Sequence, residues 1–463
     1  MSPRRRKLRR AEWQRAVAGR ERLLRGSPPR APGIGRKNAL GHRPDTIPYL
    51  RDAALSLLFE EEEPITPWSG FAAPAPVLVA CALSFVLYLG AYMRLPLVPL
   101  FASDLGATTV QVGMINAGFM VAAALLSLPL GLVSDRLGRR RLILAGMAIS
   151  GLTSLLLLLV RTPLQVGAIY LFSGIGLACF SPSMMSYVGD VSPPLFLGRA
   201  YGWYTSSLYL GMAAGPGLGG VIAAGGFRAA FLVSAAVIAA GILVGGPRMP
   251  APPAVIRPAT ANLAADFREI VGNRAVLACW TATFFSTYAW GSLFAFFPLY
   301  AREAGISVTH TGLIFTCQAA ANAAFRIPIG HLTDRTGKRE RYIVAGTLLF
   351  ALFIALVGAF RNAVSLYLLF LGIGGTMAAA FTAIGAVLSE SVPTRVRGLA
   401  MGGYNTCIYG GFAVSAATLG AVISRFGFAA GFAAAGGLCA LSVGAFVLLF
   451  PPSPGPASSD GRR

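Results

Sequence analysis

The sequence predicts an all-α membrane protein of twelve transmembrane helices, and three observations predict it. The chain is 55% hydrophobic and 12% charged, with a mean hydropathy of +0.65, too apolar for a soluble protein beyond its first seventy residues. It contains twelve apolar runs of roughly 20 residues, long enough for a helix to cross a hydrocarbon core with its backbone hydrogen bonds satisfied internally. It also writes one polar loop twice. Gly131-Leu-Val-Ser-Asp135-Arg136-Leu-Gly138-Arg139-Arg140 returns 199 residues later as Gly330-His-Leu-Thr-Asp334-Arg335-Thr-Gly337-Lys338-Arg339. The same offset carries Pro99 to Pro298, Asp104 to Glu303, Gly106 to Gly305, Gly113 to Gly312 and Pro129 to Pro328. A solvated basic turn that arose by chance would not bring its neighbours along in register.

Residues 1–70 precede the first span. Arg4 to Arg10 is basic, Pro28 to Gly35 is rich in Pro and Gly, and Glu60 to Glu63 is acidic, a composition that cannot bury a core. A mostly disordered basic extension is expected there. Two readings of it stay open: a tail whose arginines grip anionic lipid, or nucleic acid, by counterion release, or an inert stretch from a start codon placed too far upstream.

The spans follow at about 76–101, 108–133, 142–160, 164–188, 198–223 and 227–246, then 276–300, 308–332, 342–360, 364–389, 398–423 and 428–450. Loops after even-numbered spans, taken with the first two residues of the next span, carry 15 Lys and Arg, whereas those after odd-numbered spans carry five: Arg161, Arg228, Arg302, Arg361 and Arg425. Basic residues near span ends stay on the cytoplasmic side, so both termini are expected to be cytoplasmic and the protein to be a multi-pass protein of the cytoplasmic (inner) membrane. The net charge of +21 then reflects orientation rather than nucleic-acid binding. All six cysteines fall inside spans without CxxC spacing, and His42, His310 and His331 lack ligand spacing, so neither disulfides nor a metal site are expected. No Walker loop, nucleotide fingerprint or hydrolase elbow is present. These absences point away from an enzyme and from a cofactor.

Along the chain, the first span ends in Tyr88, Tyr92, Arg94, Pro96 and Pro99, and the second holds Asn116. A charge inside a span is costly unless it snorkels or faces a wet cavity, so Arg94 is expected to do one or the other. The fourth span ends at Asp190, and Glu390 stands 200 residues later at the same place in the tenth. Arg139 or Arg140 is the expected partner of Asp190, and Lys338 or Arg339 that of Glu390. Together with Gly131, Asp135, Arg136, Gly138, Gly330, Asp334, Arg335 and Gly337 they make a candidate cytoplasmic latch that forms when the inner gate shuts. The fifth span carries Gly211-Met-Ala-Ala-Gly215-Pro216-Gly217-Leu218-Gly219-Gly220. Small residues every fourth position let helices approach closely, and Pro216 weakens the helix locally.

These two motifs resemble signatures of the major facilitator superfamily of secondary transporters, over about residues 75–450. The loop matches GxLxDRxGRRxxL at Gly131, Asp135, Arg136, Gly138, Arg139 and Arg140, with Val133 in place of Leu. Gly211, Gly215, Pro216, Gly219 and Gly220 match the antiporter signature GxxxGPxxGG, which in that family marks proton-coupled drug and metabolite exporters. The resemblance implies two pseudo-symmetric six-helix bundles, here 75–246 and 276–450, joined by a cytoplasmic linker, 247–275, and followed by a tail, 451–463. Within the linker Leu263, Phe267, Ile270 and Val271 recur at helical spacing and predict an amphipathic surface helix. The chain departs from the family's drug antiporters at Tyr170, where many carry Arg. Nor does it place an acid midway through a span, which leaves Asp104, Glu303, Asp190 and Glu390 as the candidate titrating groups.

The family fold places substrate between the halves near mid-membrane. The residues expected to line that cavity are Tyr88, Tyr92, Arg94, Asn116, Tyr204, Phe284, Tyr288, Trp290, Gln318, Asn322, Arg326, Phe381 and Asn405. The first expectation is an exporter of small hydrophobic or drug-like compounds working by alternating access, with protons as the candidate coupling ion and a single chain as the working unit. The alternatives are an organic-anion carrier using Arg94 and Arg326, and a non-transporting sensor or scaffold.

Overall fold

The computed structural model describes residues 75–192, 197–250, 263–393 and 396–450; the N-terminal extension, most of 247–262 and the tail lie outside the described residues. Thirteen helices run through them: α1 (Ala75–Arg94), α2 (Leu97–Asp104), α3 (Thr109–Leu137), α4 (Arg139–Leu156), α5 (Pro163–Val191), α6 (Leu197–Ala223), α7 (Phe227–Gly245), α8 (Leu263–Gly272), α9 (Arg274–Glu303), α10 (Val308–Thr336), α11 (Arg339–Val357), α12 (Ala363–Glu390) and α13 (Arg397–Leu449). They form twelve membrane-length segments. α1 and α2 are one span broken before Pro96, which cannot donate a backbone hydrogen bond. α13 is two spans joined at Gly427, whose φ of 84° lies in the region that a residue without Cβ adopts freely. α8 is the short helix expected in the linker; its Ile270 is buried while Phe267 and Val271 are exposed.

Seven helices are long and apolar enough to cross a membrane on length and composition alone. Those that fall short include α4, which opens on three arginines, and α6 and α10, which carry glycines and polar side chains where they meet one another. The even-numbered spans run a few residues beyond their apolar stretches, to Leu137, Val191 and Thr336, because hydropathy marks where lipid ends rather than where the helix does.

The duplication is visible in the packing. In the first half α1 packs on α6 and α7, α3 on α5, and α4 on α5 and α7; in the second α9 packs on α13, α10 on α12, and α11 on α12 and α13. Two equivalent contacts join the halves, α6 with α10 and α3 with α13. Thr108 and Ser307, 199 residues apart, cap the equivalent helices α3 and α10 through their hydroxyls. The repeated loops are turns of one or two residues in which Gly138 and Gly337 take positive φ (92° and 63°), so glycine is required at both. The second half is stitched by an aromatic core around Phe297, Phe315 and Phe370. The first half instead buries a polar seam between α1, α4 and α7, where Ser154 meets Ser234 at 3.1 Å and Ser234 donates to the Gly90 carbonyl at 2.7 Å.

Candidate functional site

The face of the bundle that carries the two repeated loops is called the basic face here, and the other the opposite face. Near the opposite face the halves are packed backbone to backbone. A methyl group at Gly312 of α10 would overlap the Pro216 carbonyl of α6, and one at Gly113 of α3 would overlap that of Ala416 on α13. Gly220 meets Val308 and Thr309, as Gly420 meets Thr109 and Val110, so the second interface repeats the first by pseudo-symmetry. Thr316 deepens the α6–α10 contact, donating to the Ala213 carbonyl at 2.7 Å and accepting from the Gly217 amide at 2.9 Å. Asp104, ending α2, pairs with Arg302, near the end of α9, across the halves.

The glycines of the fifth-span motif divide between two faces of α6. Gly211, Gly215 and Gly219 lie every fourth residue against the α1 backbone, at Phe85, Leu89 and Met93. Pro216, Gly217 and Gly220 face α10. One helix thereby packs closely both within its own half and across to the other.

Toward the basic face the halves part. Added methyl groups at Gly202 of α6 and Gly402 of α13 would have nothing within 4 Å, and one at Gly330 of α10 would touch only Thr382 of its own half at 3.9 Å. The halves are thus in tight contact near the opposite face and not in contact at these positions near the basic face.

Between these levels tyrosines from both halves converge. Tyr88 of α1, Tyr204 and Tyr209 of α6 and Tyr409 of α13 lie close to one another, with Ser181 of α5 beside Tyr88 and Tyr409. Tyr88 also stacks edge-on against Phe180 and, tilted, near Tyr92. Arg326 of α10 enters from the second half, its guanidinium 4.4 Å from the centre of the Tyr209 ring. Its Nε donates to Asn322 Oδ1 at 2.9 Å, and Asn322 Nδ2 donates to the Gly374 carbonyl at 3.3 Å.

Arg326 lies in the half of α10 nearer the basic face, but its side chain reaches toward mid-span. A helical side chain leans toward the N-terminus of its own helix, here away from the basic face, and Asn322 one turn back holds it there. It reaches Tyr209, midway along α6. For Arg94 the expectation is corrected. It neither snorkels nor enters the gap between halves: it is 1% exposed and donates to Thr153 at 2.8 Å and Ser150 at 2.9 Å on α4, inside the first half.

The remaining expected cavity residues scatter. Tyr92, Phe284 and Asn405 are at least partly exposed. Trp290 instead packs in the second-half aromatic core against Phe315 and Phe370. Tyr288 ties α9 to α13 through Thr418 at 3.0 Å, Gln318 donates to the Met377 sulfur at 3.4 Å, and Phe381 is buried. Asn116 is buried and bonded to its own helix at the Val112 carbonyl, 3.0 Å away. Tyr209, Tyr404, Tyr409 and Ser181 were missed. A signal for three of them was available: the 200-residue offset that relates Asp190 to Glu390 also relates Tyr204 to Tyr404 and Tyr209 to Tyr409.

At the basic face, Arg139 pairs with Asp190 at 2.7 Å, both nearly buried, and Arg339 pairs with Glu390 and, at 3.0 Å, with Asp334. Arg140 instead donates to the Gly246 carbonyl at the end of α7. Each ion pair ties helices of one half, α4 to α5, α11 to α12 and α11 to α10, and none of the three crosses between the halves. The side chains of Asp135 and Arg136 lie outside the described residues.

Two equivalent halves of six spans each, packed tightly on one another near one face, have the architecture of a membrane transporter built by duplication. The Major Facilitator Superfamily model matches residues 80–307 and 279–463, and the chain belongs to that family: it is a multi-pass membrane transporter of small molecules. An uncharacterized MFS-type transporter of Methanocaldococcus jannaschii is 24% identical over 359 residues, 76% of this chain and 92% of that protein. Multidrug resistance protein 2 of Bacillus subtilis is 28% identical over 156 residues, 33% of this chain and 38% of that protein. Among solved structures, the nucleoside transporter NupG superposes with a TM-score of 0.68 at 16% identity, covering 81% of this chain and all of that one. A bacterial homolog of the human lysosomal transporter Spinster gives 0.67 at 14% identity over 82% of this chain and 96% of that one.

Proposed function

We propose that this protein is a secondary active transporter that exports small hydrophobic, drug-like compounds by alternating access, with its basic face and both termini in the cytoplasm. The observation that carries the reading is the cluster of tyrosines from both halves beside Ser181, placed between the tightly packed opposite face and the basic face. Aromatic rings bind flat, lipophilic molecules of varied shape, because their contacts depend on area and ring geometry rather than on a fixed hydrogen-bond pattern. The match to a multidrug resistance protein over a third of the chain supports the same direction.

Protons are the proposed coupling ion, and Asp104 is the proposed entry point. Its pair with Arg302 joins the halves at the opposite face, so neutralising Asp104 loosens the seal on the side from which protons would enter. The latch residues at the basic face are proposed to brace α4 on α5 and α11 on α12 so that each half moves as a unit. The working unit is proposed to be one chain.

The test is transport in proteoliposomes holding the purified protein, with and without an imposed proton gradient, over a panel of cationic, neutral and anionic lipophilic compounds. Gradient-dependent movement of at least one class supports the reading. No movement of any class, with protein correctly inserted, favours a sensor or scaffold instead.

A further inference from the structure

Arg326 is held in an unusual way for a charge inside a membrane protein. Every Asp and Glu between residues 75 and 450 lies near a helix end or in a loop: Asp104, Asp135, Asp190, Asp266, Glu269, Glu303, Asp334, Glu340 and Glu390. The acid nearest to Arg326 along its own helix is Asp334, eight residues and about 12 Å of rise further on, and Asp334 is engaged by Arg339. Arg326 makes no ion pair among the described residues. Its Nε is taken by Asn322 and one face of its plane lies over Tyr209. Its two η nitrogens have no protein acceptor among the described residues, and they are not sealed from solvent.

A lone cation at this depth is expensive, and such groups mark substrate or ion pathways. The way it is held bears on what it would bind. Asn322 and Tyr209 fix the guanidinium plane from its stem side and its face, leaving the edge that matches a carboxylate or sulfonate in a two-pronged arrangement. Tyr404 lies close to both Arg326 and Tyr209, and Tyr88, Tyr204 and Tyr409 line the space beyond. Arg94 offers no such edge, because both its η nitrogens are spent on Ser150 and Thr153.

We propose that the cavity selects amphiphilic organic anions, with a carboxylate or sulfonate seated on the η edge of Arg326 and an aromatic body against the tyrosines. This deepens the export reading above and rests on it for direction of transport, but the binding step stands by itself.

The experiment measures binding of naphthoate and of its neutral isostere naphthamide to the purified full-length chain in detergent, by tryptophan fluorescence or thermal shift. The wild-type protein is expected to bind the acid about 10- to 100-fold more tightly than the amide, the scale of a charge-assisted hydrogen bond. Arg326→Gln should bring the acid down to the affinity of the amide while leaving the amide unchanged. Arg326→Lys should retain part of the preference, since it keeps the charge and loses the fork. Equal binding of acid and amide by wild type overturns the proposal without needing any variant. A preference that survives in Arg326→Gln overturns it as well. Failure of the export reading would look different: no transport of any compound in proteoliposomes, with the acid-over-amide contrast intact.

Discussion

Asp104 and Arg302 form an ion pair that joins the end of the first span to the end of the seventh, across the two halves. Both side chains are more than a third exposed, so the pair contributes little by itself, about 0–1 kcal/mol. It lies at the same face as the backbone-tight contacts between the halves at Gly312 and Gly113, and is proposed to tune how often that face opens.

Replacing Asp104 with Asn should therefore shift the equilibrium toward opening at the opposite face by no more than about fivefold, the equivalent of about 1 kcal/mol. Labelling of a cysteine introduced at Ser103, in a cysteine-less background, reads this out. The labelling rate should rise in the variant and its excess should shrink at high salt, because exposed charges are screened. An unchanged rate removes Asp104 from the gate.

The two basic-face pairs are chemically alike and differently placed, so they should differ in cost. Asp190 is 8% exposed and Glu390 is 64% exposed. Breaking a buried pair leaves an uncompensated charge and costs about 3–5 kcal/mol, against about 1 kcal/mol or less at a surface. Asp190→Asn should lower the thermal unfolding midpoint in detergent clearly more than Glu390→Gln. Equal shifts would mean that the first pair is not what holds α4 on α5.

Asp135→Asn tests the latch where the described side chains stop. If closure of the basic face runs through Asp135, transport falls at least tenfold while expression and insertion stay normal. Wild-type rates from the purified variant end the latch idea.

Close helix contact makes Gly215 and Gly312 intolerant of bulk in different ways. Gly215→Leu drives into the α1 backbone at Leu89, inside one half, whereas Gly312→Leu drives into Pro216, between halves. The first should destabilise the fold; the second should spare folding of each half but open the opposite face and leak protons. Tight vesicles bearing Gly312→Leu would show that this contact is not the seal.

Much of the fold was legible because its signals are one-dimensional. Apolar runs gave the twelve spans, and a 199-residue offset tied Gly113 to Gly312 and Asp104 to Glu303 before any contact was known. The basic-face partners were legible too, since Arg139 and Arg339 are the cations that a helix end brings beside Asp190 and Glu390. The cavity was not. Which face of a helix looks inward depends on rotation about its axis, and an even mixture of apolar and aromatic residues hides it. Trp290 and Tyr404 are indistinguishable by composition, yet one is core and the other lies beside Arg326. Arg94 and Arg326, expected to act together, part for a related reason: Cα position does not fix where a long side chain ends, and Arg326 leans a turn back while Arg94 turns inward to Ser150 and Thr153.

Arg94 thus becomes a stability residue in this account. Arg94→Gln should lower the unfolding midpoint through the lost bonds to α4 and leave substrate selectivity as in wild type. A changed selectivity profile across the compound panel would return Arg94 to the cavity.

Tyrosines from both halves are proposed to hold a lipophilic compound that the protein then moves out of the cytoplasm. Accumulation of a fluorescent lipophilic compound inside energised inside-out vesicles tests it most directly, comparing wild type with a Tyr88→Ala, Tyr409→Ala double variant. Wild type should accumulate the compound above protein-free background, and the double variant should not at equal protein levels. Accumulation that is the same in both, or absent from wild type, would contradict it.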